Sequence, residues 1–391
     1  MDDISALAGI DVRGPATDGE AKAAIYVSKR MDEMGLNPSV EPFPVCPHFP
    51  MAWALHFIFA IAACFLAVTH PWIASLIVLL LMISYYGDTT TKFYWVRSLL
   101  PKHTSRHVIG KLKAKGERKK TVVIAAHMDA GQMGMSMEPK GAERTTTFFK
   151  RYFNMQPPIL FLLVFALTLT LAATVYWGLH GSTLIGQRLM IAAVIGNLVA
   201  TVIFTQMEFA GISPGANDNA SGVATMLELA RRLKDDPMEE TEIWFLGVGS
   251  EETYMNGMAK FMDDRRPLLD KDSFYFLVPE SCGFGRPRIV TGEGVYKTDY
   301  HDPALVGAAF LAAKRRGYPE VTPLVLRTGG TDATPPTVRG YKAVCILAMN
   351  ENDYVPHYHW KTDLPEYIDT RALEKTSDIF EETIRIIDTE F

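Results

Sequence analysis

Residues 121–129, TVVIAAHMD, carry an apolar run of β-branched and small residues straight into a histidine and an aspartate. Strict alternation would mark a strand with one wet face. A continuous run of this length marks a strand covered on both faces, as in a parallel sheet. Three further runs read the same way: EIWFLGVGS (242–250), SFYFLV (273–278) and AVCILAMN (343–350). Between and after them lie amphipathic patterns, SGVATMLELARRLKDD (221–236), ALVGAAFLAAKRRG (304–317) and TRALEKTSDIFEETIRIID (370–388). Strands alternating with helices predict an α/β fold, a mixed, mostly parallel central sheet flanked by helices.

Four other segments lack charge altogether. Met51–Thr69 and Trp72–Tyr86 are separated by His70 and Pro71, and Ile159–Trp177 and Leu189–Phe204 flank the loop GLHGSTLIGQR (178–188). Each pair reads as a helical hairpin. A bilayer core of about 30 Å needs about 20 apolar residues in a helix, so about four transmembrane helices in two hairpins are expected. Burial of the hairpins in a soluble core or a dimer interface is the alternative. Trp53, Trp72, Tyr85, Tyr86, Tyr94, Trp95, Tyr176 and Trp177 gather near the segment ends, as interfacial aromatic belts do. Basic residues crowd Thr89–Lys120, whereas the two hairpin tips hold only Arg188. The expectation is an integral membrane protein of the cell inner or plasma membrane, with its polar bulk facing the cytoplasm. Two hairpins return the chain to one side, so residues 1–50, 88–152 and 208–391 can form one discontinuous domain, with hairpins at 51–87 and 157–207.

A net charge of -5 gives no reason to expect nucleic acid. Cys46, Cys64, Cys282 and Cys345 are scattered, which argues against both a disulfide framework and a cysteine zinc site. The first 35 residues are polar and helix-like, without the basic and apolar regions of a signal peptide.

Open α/β sheets bind ligands at the carboxyl ends of their strands. There the sequence supplies His127 and Asp129, Asp218 within PGANDNASG, Glu251 and Glu252, Glu280, and His359 within HYHWKTD. Imidazoles and carboxylates suit zinc, and a shared carboxylate can hold two ions.

The ordered set HMD, GANDNASGVA, a strand into EE, a strand into an acidic residue, TGGTDA and YHWKTD resembles the M28 family of metallopeptidases, which includes bacterial di-zinc aminopeptidases. The likeness runs from about Thr121 to the C-terminus and takes in the N-terminal helix as far as Pro44. It implies two zinc ions per chain, one on His127 and Glu280, one on Glu252 and His359, with Asp218 between them. The family has either Asp or Glu at the position of Glu280. His357 competes with His359, which is preferred because the family pattern is a His followed four residues later by Asp, here Asp363. Glu251 is implied as general base to a bridging hydroxide, and Asp129 as hydrogen-bond partner of the far nitrogen of His127. Tyr358 is implied as an oxyanion donor, with simple packing as its alternative. TGGTDATPP, with Gly329, Gly330 and Asp332, resembles the family's segment near the substrate wall, or else is a tight turn.

The expected activity is a membrane-bound zinc exopeptidase, an aminopeptidase acting on short or hydrophobic peptides. In soluble relatives His-x-Asp and the shared Asp are close in sequence; here the second hairpin separates them. A lipid bilayer and a peptide substrate are the expected partners, the peptide being hydrophobic or lipidated if the hairpin takes part in substrate choice and unrestricted if the hairpin is a mere anchor, and homo-oligomerisation stays open. Alternatives are a carboxypeptidase, with Arg286, Arg288 or Arg327 receiving the substrate carboxylate, an N-acyl amino acid or lipopeptide amidase, and a glutaminyl cyclase-like enzyme. A non-catalytic membrane scaffold is a further alternative, against which all five ligand positions are filled.

Overall fold

The computed structural model describes residues 1–391, apart from the side chains of 159–161. Nine strands form one sheet: β1 Ser39–Val45, β2 His103–Leu112, β3 Lys120–His127, β4 Thr241–Val248, β5 Phe274–Glu280, β6 Arg286–Glu293, β7 Asp299–Tyr300, β8 Thr322–Leu326 and β9 Lys342–Met349. Their order is β1-β2-β4-β3-β5-β9-β6-β7, with β8 on β6. The four apolar runs of the sequence are β3, β4, β5 and β9, and they form the parallel centre of the sheet. Burial on both faces is visible in β3 itself, where Val122 and Ile124 enter one core while Val123 and Ala125 enter the other.

The first core lies under the helices Asp18–Glu33, Gly222–Leu233, Pro303–Arg315 and Thr370–Glu390. The second lies under the shorter helix Asn256–Asp264. Antiparallel strands extend the sheet at both sides, β1 and β2 beyond β4, and β6 and β7 beyond β9. In β1, Pro42 and Pro44 lack the N–H that an inner strand would need, which confines it to the edge.

Among the described residues, four helices are long and apolar enough to cross a membrane, Phe49–Leu66, Pro71–Thr89, Leu162–His180 (part of Ile159–His180) and Leu184–Glu208, with mean hydropathies of 2.0, 1.5, 1.9 and 1.9. They pack as one bundle. Ala63, Ala67, Ala74, Ala173 and Ala193 let the backbones approach in one half, as small residues do between apolar helices. Interior polar groups pair across helices: Asn197 Nδ2 donates to Thr170 Oγ1 at 2.7 Å, and Ser75 Oγ to Thr174 Oγ1 at 2.9 Å. Ile73, Leu76, Leu80, Phe165, Ile195 and Val199 instead point outward and are exposed.

Strand direction decides where this bundle stands. The start of β2 lies toward the end of β4, since Val108 pairs Gly247 and Leu112 pairs Ile243. The first hairpin, between β1 and β2, therefore leaves and re-enters at the carboxyl edge of the parallel strands. The second leaves after β3, at the same edge. Contacts fix the bundle there. Arg97, 1% exposed, pairs with Asp88 at the end of the second apolar helix and donates to Thr253 O at 2.5 Å. The Trp53 indole donates to Asp88 Oδ1 at 2.8 Å and packs edge-on against Tyr254, ring centres 4.9 Å apart.

Removing one partner of a buried ion pair leaves the other charge uncompensated, at a cost of about 3–5 kcal/mol. Arg97→Ala is therefore expected to lower the stability of the detergent-solubilised protein by about that amount, read by thermal or denaturant unfolding. The neutral double variant Asp88→Asn/Arg97→Met is expected to regain most of the loss. A single variant as stable as the double contradicts this account.

Candidate metal centre

Every acidic or imidazole group singled out in the sequence emerges at the carboxyl edge. His127 closes β3, Glu251 and Glu252 form a turn after β4, Glu280 closes β5 and His359 follows β9, while Asp218 precedes the helix Gly222–Leu233. All six are buried. The two oxygens of Asp218 face different histidines, with Oδ1 3.3 Å from His127 Nε2 and Oδ2 3.2 Å from His359 Nε2. Glu280 Oε1 lies 3.3 Å from His127 Nε2, and Glu252 Oε1 lies 3.0 Å from His359 Nε2. Two sets of three donors thus share one carboxylate.

These spacings favour metal ligation over plain ion pairing. Charge-assisted hydrogen bonds run about 2.7–2.9 Å. Donors placed tetrahedrally at about 2.0–2.1 Å from zinc stand about 3.3 Å apart, which is the separation seen in three of the four pairs. His127, Asp218 and Glu252 also bring ligand atoms within 4.8 Å of one another. The residues fit zinc, with His127, Glu280, Glu252, His359 and the shared Asp218 as the groups that would hold it.

The electrostatics agree. Burial, reinforced by neighbouring carboxylates, pushes Glu251 far above the usual carboxylate range and raises Glu252. Burial raises Glu280 to about 7, against the pull of His127. Burial lowers both imidazoles, but the carboxylates outweigh it: Glu280, Asp129 and Asp218 hold His127 well above normal, and Glu252 and Asp218 hold His359 at about 10. So much buried negative charge calls for cations.

The supports come from far along the chain. Arg13, 1% exposed, donates to Met128 O at 2.6 Å and Gly215 O at 2.6 Å, tying the loops of His127 and Asp218 together. Asp363 accepts from the N–H groups of Asn217 and Asp218 at 2.7 and 3.0 Å. Asn219 Nδ2 donates to Glu280 Oε2 at 3.2 Å. Glu20 accepts from Ser250 N at 2.6 Å, and burial beside Asp129 raises its carboxyl to about 8. None of these four roles was read from the sequence. Asp363 and Asn219 lie inside quoted motifs, but Arg13 and Glu20 have no local signal.

Asp129 holds more than the His127 ring. His127 Nδ1 lies 3.1 Å from the main-chain carbonyl of Asp129 and 3.6 Å from its carboxylate. The carboxylate also accepts from Glu251 N at 3.1 Å and Glu252 N at 2.9 Å. The physical reason is the turn that it holds: Ser250, Tyr254 and Met255 have φ of 55°, 65° and 58°, left-handed values that side chains disfavour by about 1 kcal/mol or more each. Asp129, Glu20 and Arg97 together pin that turn.

His357 stands apart from the cluster, its Nδ1 2.7 Å from Thr362 Oγ1 and its ring stacked on Tyr367. The Tyr358 ring stacks on His359 with centres 3.9 Å apart, and burial raises its phenol, which stays protonated. Asp332 is fully buried and burial raises it strongly, while its loop is fastened by Thr331 N donating to Glu293 Oε2 at 2.9 Å. Arg286 and Arg288 are engaged by Glu351 and Asp353 at 2.9 and 2.7 Å, and Arg327 is exposed. The cluster opens into a cavity of about 300 Å³ lined by Asp218, Glu251, Glu252, Glu280 and Asp353, and by no Lys or Arg among the described residues.

Residues 202–384 match the profile of "Peptidase family M28". Aminopeptidase YwaD of Bacillus subtilis (strain 168) is 49% identical over 175 residues, 43% of this chain and 36% of that protein, so the matched region spans about a third of the relative. BSAP, a zinc aminopeptidase from Bacillus subtilis, superposes with a TM-score of 0.57 at 16% identity, covering 98% of this chain and 93% of the other. A Bacteroides thetaiotaomicron glutaminyl cyclase bound to N-acetylhistamine superposes with a TM-score of 0.56 at 15% identity, covering 97% and 94%. Both likenesses establish the fold, and neither decides between hydrolysis and cyclisation.

Zinc takes neutral imidazole, yet the carboxylates keep His127 and His359 protonated at neutral pH in the metal-free protein. Zinc binding at pH 7.5 is therefore expected to release at least about two protons per chain, and to weaken as pH falls. Titration calorimetry in buffers of different ionisation enthalpy measures this directly, and release of less than one proton would contradict it.

Proposed function

Starting from a chain that carries a peptidase family M28 domain, we propose that it is a membrane-embedded aminopeptidase with two zinc ions, removing N-terminal residues from short or hydrophobic peptides. The observation that carries this is Asp218, whose two oxygens each meet a separate His and carboxylate pair. His127 and Glu280 would hold one ion, Glu252 and His359 the other, with Asp218 shared between them. When bound, zinc supplies Lewis acidity, polarising a carbonyl and making water more acidic.

The chain's own groups do the rest. Glu251 lines the cavity without pairing in either half of the donor set, and cations held beside it would oppose the rise that burial causes and keep its carboxylate ionised as a general base. Its carboxylate takes a proton from the attacking water and returns it to the departing amine nitrogen. Asp129 holds Glu251 and Glu252 in register through their N–H groups. The Tyr358 phenol, protonated beside His359, is the donor for the developing oxyanion.

Cavity charge favours amino- over carboxypeptidase action. Its lining holds no lysine or arginine among the described residues, so it offers the terminal carboxylate of a peptide no cationic side chain. Arg286 and Arg288 are already paired, which leaves neither free to receive the terminal carboxylate of a peptide.

The four apolar helices support a bilayer location, and the basic residues of Thr89–Lys120, where the chain passes from the bundle into the sheet, support a cytoplasmic catalytic domain. The protein is expected to stay in the membrane pellet after an alkaline carbonate wash, and release to the supernatant would contradict a spanning bundle.

Digestion of a peptide library, read by mass spectrometry, tests the chemistry. Wild type is expected to trim residues from the N-terminus, and Glu251→Gln to lose activity by about 10²–10⁴-fold with zinc content unchanged. Trimming from the C-terminus, loss of ammonia from N-terminal glutamine without chain shortening, or an active Glu251→Gln variant would each overturn the proposal.

A further inference from the structure

The cavity that opens over Asp218 and Glu251 is not closed by the α/β domain alone. One wall consists of Phe49 and Trp53 from the start of the first apolar helix and Phe204 and Met207 from the end of the fourth. These four side chains form one apolar cluster, in which Trp53 meets Phe204 edge-on with ring centres 5.3 Å apart. Tyr254, next but one to Glu252, joins the same cluster. The two bundles of groups, donors on one side and aromatics on the other, share a space of about 300 Å³. That is the lower end of small-ligand pockets, enough for a large side chain with its backbone and too little for folded polypeptide.

The wall is rigid. Trp53 is fixed by its indole bond to Asp88 at 2.8 Å, Asp88 by its pair with Arg97, and Arg97 by its bond to Thr253 O at 2.5 Å, one residue beyond Glu252. At the other end of the wall, Glu208 accepts from Met51 N at 3.2 Å and meets His48 Nδ1 at 2.6 Å, tying the end of the fourth apolar helix to the start of the first. A pre-organised apolar wall beside a reacting centre selects by burying the substrate's side chain, each added methylene favouring the larger substrate.

We propose that the ends of the first and fourth apolar helices form the pocket for the substrate's apolar side chain, so that the hairpins set specificity as well as location. The substrate class is a peptide with a large aliphatic or aromatic residue beside the scissile bond. Phe204 and Met207 are the specificity-determining residues, and Trp53 is the fixed back of the pocket. This rests on the aminopeptidase reading above and names its substrate.

The test uses full-length, detergent-solubilised, zinc-loaded protein and the amides of phenylalanine, leucine, alanine and glycine. Phe204→Ala and Met207→Ala are expected to lower kcat/KM for phenylalanine and leucine amides by about 10- to 200-fold, chiefly through KM, with alanine amide changed less than about threefold. Phe204→Trp, which narrows the pocket, is expected to reject phenylalanine amide while keeping alanine amide. An equal fall for every substrate, or none, overturns the pocket. Calorimetric binding of phenylalanine and glycine amides to Glu251→Gln, with and without Phe204→Ala, separates the two claims. Phe204-dependent preference for phenylalanine amide in a protein whose parent hydrolyses no amide would leave the pocket standing and sink the aminopeptidase reading. Hydrolysis without that preference would do the reverse.

Discussion

Buried negative charge is the constraint on which the site depends. Asp129, Asp218, Glu251, Glu252, Glu280 and Asp332 are all withdrawn from water at one edge of the sheet, and a low-dielectric interior does not tolerate that many carboxylates without counter-charge. Some of it is met by protonation, as the upward displacement of Glu251 and Asp332 indicates. Two imidazoles and the Arg13 guanidinium meet another part. The donor sets divided by Asp218 are then the natural seats for cations, and the hydrogen bonds that Arg13 and Asn219 donate and Asp363 accepts keep them in place.

The same edge receives the apolar bundle. Because β2 runs antiparallel to β4, a hairpin inserted before it and a hairpin inserted after β3 rise from one side of the sheet. A simple anchor would leave the catalytic turn untouched. Here the turn Glu251–Thr253 is gripped from below by the Asp129 carboxylate and from the side by Arg97, itself held by the apolar helix that ends in Asp88. Moving the bundle would move the turn.

The legibility of these features in the sequence follows from their physics. The four central strands are buried on both faces, so each is a continuous apolar run, and all four were readable. β1 and β2 were not, since the prolines of SVEPFPV and the polar start of HTSRHVIGKL hide edge strands. The metal-site candidates lie at strand ends and were found through their order. Arg13 and Glu20 act across 202 and 230 residues and leave no local pattern. The Asp129 carboxylate stands 3.6 Å from the His127 ring nitrogen and also takes two main-chain N–H groups, a use that becomes visible only when the turn is folded. The fourth apolar helix starts at Leu184, capped by Thr183, not at Leu189, because hydropathy marks the apolar stretch and not the helix.

The central claim is that Asp218 is shared between two ions. Diffraction from zinc-loaded crystals, collected at the zinc absorption edge, addresses it most directly. Two anomalous peaks are expected, one beside each Asp218 oxygen, the first against His127 and Glu280 and the second against His359 and Glu252. A single peak, or peaks away from Asp218, would contradict the account.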